Sequence, residues 1–209
     1  MALDDILDEH EQSERVLDWL RRNGAALIGG IALGLALIFG WHWWQGRQQA
    51  AQADAAARFQ QMVDGFEAGN LAEQSKLTSF EQPLYRTLGG LSLAKAQLAA
   101  DQRDAAIATL RGIDAKDPAL AAIVRERLAR LLVDSGKPAD AVTLLGPADT
   151  AGALEARGDA QFALGERDAA RASYVQALKQ MDVDAPQRRL VELKLTQVGG
   201  IPSQPEAQS

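Results

Sequence analysis

The stretch from Ala25 to Trp44 constrains this chain most. It contains no Asp, Glu, Lys or Arg, and at about 1.5 Å per residue a helix of this length covers roughly 30 Å. That is the thickness of a bilayer's hydrocarbon core, which takes about 20 mostly apolar residues. A lone segment can satisfy its backbone hydrogen bonds there only as a helix. Trp19 precedes the stretch and Trp41, Trp43 and Trp44 close it, at the levels where amphipathic indoles favour the membrane–water boundary. The stretch reads as one transmembrane anchor.

Flanking cations give the expected orientation. Arg15, Arg21 and Arg22 precede the span, and Arg47 and Arg58 follow it more sparsely. The positive-inside rule counts Lys and Arg and largely ignores acids. The N-terminus is therefore expected in the cytoplasm and the long C-terminal part across a bacterial inner membrane, in the periplasm. A cleaved signal peptide is the rival reading, because Ala51-Gln52-Ala53 has a small-x-small pattern. The long acidic leader and the length of the apolar run argue against it. A lipid anchor on an N-terminal Cys is excluded, since the chain has no Cys.

Beyond the anchor, Ala, Leu, Gln, Glu and Arg dominate while β-branched and aromatic residues are few, so the expected class is all-α. Residues 1–24 carry three basic and seven acidic groups, and the remainder carries 19 against 21. Neither part is a basic surface for nucleic acid.

Along the chain, residues 1–22 form a short acidic tail, read either as an amphipathic helix or as a solvated segment. The anchor occupies 23–44. Within it Gly30 and Gly34 share a helix face, which can admit another helix closely. Residues 45–82 are expected to be a linking helix, with Phe59, Met62, Val63 and Phe66 at helical spacing, and then an irregular polar loop. Residues 83–199 contain internal repetition and a C-terminal capping helix, and 200–209 are expected to be disordered.

Three segments of the repetitive region superpose on an Ala-anchored pattern. Ala106, Ala141 and Ala170 mark it at intervals of 35 and 29 residues, close to the period of about 34 in tetratricopeptide (TPR) arrays. Each unit is two short antiparallel helices, and neighbours stack because no pair can bury its apolar face alone. Gly136 and Gly165 are placed to end the first helix of their units. The expected fold is thus one N-terminal transmembrane helix followed by a TPR-like α-solenoid of about three degenerate helix pairs with flanking helices.

Catalytic patterns are missing. The two histidines, His10 and His42, lie in the tail and the anchor, so no His-based metal or triad site is expected in the main domain. No enzyme activity and no cofactor are expected. The surface of interest is instead the concave side, lined by the first helix of each pair. It is expected to present Lys95 and Leu98 from the first pair. Glu126, Arg130 and Val133 come from the second, and Glu155, Asp159 and Phe162 from the third. Mixed charge with some apolar surface suits a peptide or a protein helix.

The order of these parts resembles the YfgM family: acidic Asp4-Asp5, Trp19-Leu20-Arg21-Arg22 before the Gly-rich span, Trp41-His42-Trp43-Trp44 after it, then Leu91 to Leu98, Gly158-Asp159 with Gly165, and Leu190 to Leu195. The resemblance implies a single-span inner-membrane protein with a periplasmic TPR-like domain, an ancillary subunit of the Sec translocon. It further implies a membrane-anchored periplasmic chaperone of the prolyl-isomerase type as partner. The adaptor reading of the repeat domain adds an emerging secreted chain as the other expected client. The resemblance brings no catalytic residues. A scaffold for another envelope complex and a self-associating structural protein remain alternative readings of the same architecture.

Overall fold

The computed structural model describes residues 2–146 and 149–202; the side chains of residues 2–16 and 18 lie outside that description, as do residues 203–209 of the tail expected to be disordered. The described residues are helical, with no strand. They divide into two units, 1–56 and 57–209.

The first unit belongs to one helix, α1 (Ala2–Glu67), which continues past the unit boundary. Neither the tail nor the anchor is set off by a break, because nothing between Ala2 and Glu67 is a proline and isolated glycines cost a helix only about 1 kcal/mol each. Part of the stretch Trp19–Glu67 is apolar and long enough to cross a membrane, and none of that apolar window is buried. Ile28, Leu33, Leu37 and Phe39 stand exposed along it. Such an apolar surface is stable in lipid and costly in water.

The second unit starts with the last turns of α1. After them come a 3-10 segment (Leu71–Ser79), α2 (Pro83–Ala99), α3 (Arg103–Arg111), α4 (Pro118–Asp134), α5 (Pro138–Leu144), α6 (Ala151–Ala163), α7 (Arg167–Gln180) and α8 (Arg188–Gln197). The helices pack as consecutive pairs, α2 with α3, α4 with α5 and α6 with α7. α4 then packs on α6, and α8 on α7. This is the stacked-pair architecture expected from the repeats.

Local chemistry explains the boundaries. Pro83, Pro118 and Pro138 open their helices, where a missing N–H is harmless and the fixed φ is already helical. The Asp117 carboxylate accepts from the Leu120 amide at 2.9 Å, and the Thr150 hydroxyl from the Ala153 amide at 3.3 Å, each satisfying an otherwise orphan donor. Asn70 opens the 3-10 segment by accepting from the Ala72 amide at 3.3 Å. That region was expected to be irregular; Ser75, Thr78 and Ser79 hydroxyls each bond a carbonyl three residues back and hold the tighter turn.

The first helix of every pair ends in the same way. Gly136 has φ +72° and Gly165 φ +81°. Lys137 N donates to Leu132 O and Glu166 N to Gln161 O, at 2.8 and 2.9 Å, the six-to-one bond of a left-handed cap. In the first pair the equivalent residue is Asp101, at φ 58°, with Gln102 N on Gln97 O at 2.8 Å. Asp is among the few non-glycine residues that enter this region readily.

The core is built at the small anchors. Ala106, Ala141 and Ala170 are fully buried. Leu110, Leu128, Leu132 and Leu145 fill the space around the first two, and Tyr174, Leu178, Val191 and Leu195 the space around the third. At the other end Met62, Phe66, Phe80 and Leu93 form a separate cluster, with Phe59 stacked on Tyr85 at 5.0 Å. This cluster covers α2. The final helix is tied down by carbonyl contacts. Arg188 donates to Leu178 O and Met181 O at 2.9 and 3.2 Å, and Arg171 donates to Val198 O at 2.9 Å. Val191, Leu195 and Val198 face inward while Leu190 and Leu193 stay exposed.

Gly158 on α6 lies against the Tyr174 ring of α7. A Cβ there would lie 2.5 Å from the Tyr174 ring, inside any real contact distance. Gly158→Ala is therefore expected to destabilise the domain by about 1–3 kcal/mol through overpacking. Circular-dichroism melts of the full chain in detergent check it; an unchanged melting temperature would mean that the ring moves aside freely.

Candidate partner-binding face

The first helices of the pairs, α2, α4 and α6, are joined at one end by α8, which supplies a fourth row to the same side. The expected surface residues separate there into two groups with different surroundings.

At the α4–α6–α8 end, the charges are bound to each other. Arg130 donates to Glu126 at 2.9 Å and to Glu155 at 3.2 Å. Lys194 of α8 reaches Glu155 at 2.6 Å and Asp159 at 2.8 Å. The Tyr174 hydroxyl of α7 donates to the other Asp159 oxygen at 2.8 Å. Glu155 is only 4% exposed, so its carboxylate lies between two cations from neighbouring helices. A buried carboxylate left without any cation would be costly, and here two cations share the task, so that either one alone still neutralises it. Gly152 makes room for the ladder, because a Cβ there would run into the Glu126 carboxylate. Of the expected surface residues here, Glu155 is thus interior and Asp159 partly covered. Val133 and Phe162 are half-buried and pack against the core on their own sides.

At the α2–α4 end the surroundings are open. A groove of about 650 Å³ runs between these helices. Leu91, Leu98, Leu110 and Leu131 form its walls, and Lys95, Arg103, Arg127 and Arg130 stand at its edges with Asp134. Lys95 and Leu98 are exposed. Lys95 pairs with Glu67 at 3.4 Å, and Arg103 with Asp101 at 3.6 Å, all four side chains being more than half exposed. Exposed pairs of this length contribute roughly 0–1 kcal/mol.

Sequence reasoning did not select Lys194, Tyr174, Arg103 or Arg127. Lys194 was legible in principle: α8 is the first helix of a half-formed fourth pair, so one of its cations faces the α6 acids. In the membrane segment, Trp19, Arg21, Arg22, Trp41, Trp43 and Trp44 are all exposed. Trp41 and Trp44 rings lie 5.5 Å apart and the Arg47 guanidinium sits 4.0 Å over Trp43, a cation–π arrangement. Nothing lies within 4 Å of a Cβ built on Gly30 or Gly34, so that face is open. Among the described residues, no group of three or more His, Cys, Asp or Glu could hold a metal.

Burial first, then the charge of Asp159 and the hydrogen bond to it, push the Tyr174 phenol far above its ordinary value of 10.0. A folded-state value above the unfolded one means that the phenol supports the fold fully below pH 10, and that this support is lost as pH rises beyond it. The parent chain is therefore expected to lose stability above pH 10 more steeply than Tyr174→Phe. Urea titrations at pH 8 to 11 check this; parallel losses would show that the phenol does not control alkaline stability.

The tetratricopeptide repeat-like domain family matches residues 18–200. The chain is 28% identical to a protein of Escherichia coli (strain K12) over 198 residues, 90% of this chain and 95% of that one. A protein of Haemophilus influenzae is 27% identical, with 90% and 97% of the two chains covered, and one of Aggregatibacter actinomycetemcomitans is 24% identical over the same shares. All three are named ancillary SecYEG translocon subunits, which bears out the YfgM resemblance. From its apolar helix to the end of α8, the chain belongs to the tetratricopeptide repeat-like domain family.

Proposed function

We propose that this protein is a non-enzymatic, membrane-anchored ancillary subunit of the SecYEG translocon. One observation carries the reading. Similarity to proteins of that name runs over 90% of this chain and at least 95% of two of them, so it takes in the anchor and the repeats together. The apolar part of α1 holds the protein in the inner membrane as a single-pass protein and docks beside the translocon. The open Gly30–Gly34 face supports close helix packing there. The helix pairs serve as the adaptor, holding a membrane-anchored chaperone of the prolyl-isomerase type or an emerging chain. The expected division of the chain, with a cytoplasmic tail at 1–22, an anchor at 23–44 and a periplasmic repeat domain at 83–199, belongs to this reading.

Photocrosslinking groups placed at Ile28, Gly30, Gly34 and Leu37 are expected to capture SecYEG subunits in intact membranes, and Gly30→Ile with Gly34→Ile to reduce co-purification of SecYEG. Capture of unrelated envelope proteins alone would remove the translocon assignment and keep the architecture.

Orientation has its own test, made simple because the chain has no Cys. A single Ala2→Cys and a single Ser209→Cys variant are reacted with a membrane-impermeant maleimide in spheroplasts. Labelling at residue 209 and protection at residue 2 are expected from the basic flank; the reverse would invert the topology.

A further inference from the structure

The two ends of the first-helix face differ in how firmly their charges are held, and this decides where a partner can bind. At the α6–α8 end every carboxylate of the ladder already has a cation or a phenol at 2.6–3.2 Å. A ligand there must first break contacts around a buried carboxylate. At the α2–α4 end Lys95 and Arg103 have only long, exposed pairs. Arg127 is exposed and has no hydrogen bond or ion pair among the described residues. An incoming carboxylate can replace such pairs at little cost. Between these cations lie the apolar walls, with Leu98 at 41% exposure.

We infer that the α2–α4 groove is the binding site for an acidic segment of a partner protein that also carries apolar side chains. Its carboxylates pair with Lys95, Arg103 and Arg127, and its apolar side chains lie on Leu98 and Leu131. Charge complementarity selects this occupant. The groove's edge carries four cations against Asp134, and one of them, Arg130, is already held by the ladder. A basic segment would meet like charge at the three remaining cations. The inference deepens the adaptor reading above by giving the chemistry of the bound partner.

The test uses the full chain in nanodiscs of zwitterionic lipid and two fluorescein-labelled peptide pools. One pool mixes Leu and Phe with Asp and Glu in random order, and the other replaces the acids with Lys and Arg. Fluorescence anisotropy is expected to show saturable binding of the acidic pool that weakens with added salt, and none of the basic pool. Lys95→Glu with Arg127→Glu is expected to weaken it at least about tenfold, the combined loss of two exposed charge contacts and their replacement by like charge. Leu98→Asp is expected to do the same, while Arg189→Glu on α8 leaves binding unchanged. Circular-dichroism melts confirm that each variant is folded; all four positions are exposed. Absent or unsaturable binding of the acidic pool, equal binding of the basic pool, or an equal loss with Arg189→Glu would overturn the inference. No SecYEG is present in this titration. Its failure is therefore separate from a failure of SecYEG co-purification, which is scored on the parent chain alone.

Discussion

Everything in the repeat domain depends on how closely two helices can approach. Ala106, Ala141 and Ala170 are fully buried at successive crossings, and at Gly158 even a methyl group would overlap the Tyr174 ring. Close crossings bring backbones near one another, so that larger side chains at neighbouring positions interdigitate instead of propping the helices apart. With seven helices among the described residues of the repeat region and none longer than 17 residues, no single pair buries much. Stability comes from the run of stacked pairs, as in other linear arrays.

Two ends of such an array need covering, and the chain covers them by different chemistry. At one end aromatic rings do it: Phe59, Phe80 and Tyr85 lie within 5.0–6.0 Å of each other over α2. At the other end α8 is held by guanidinium-to-carbonyl bonds from Arg188 and Arg171 and by Lys194 across to α6. The cations at this end also satisfy helix-terminal carbonyls that would otherwise be orphaned. α8 is therefore more than a lid, because it completes the electrostatics of the face its neighbours form.

Much of this was legible in the residues themselves. Prolines 83, 118 and 138 and glycines 136 and 165 mark helix ends through backbone chemistry that acts within a few residues. The Ala period marks the crossings. Less was legible where the outcome depends on distant partners. Asp101 serves as a left-handed cap without the glycine its two counterparts have. The acids at 155 and 159 lie one turn apart on α6, yet what covers them depends on Lys194, 39 and 35 positions away. The continuity of α1 was legible on the Gln-rich side, where the linking helix can run on from the span with little break, and less so at the acidic tail, whose composition suits a solvated segment as well as a helix.

Chain order gives the ladder a further meaning. Protein chains are made from the N-terminus, and α2 and α4 are complete some 60 residues before Lys194 is added. During synthesis the open groove therefore has all its walls while the α6 carboxylates still lack the α8 cation. The half of the face that stays open is finished first, and the half that becomes locked is closed by one of the last helical residues to emerge.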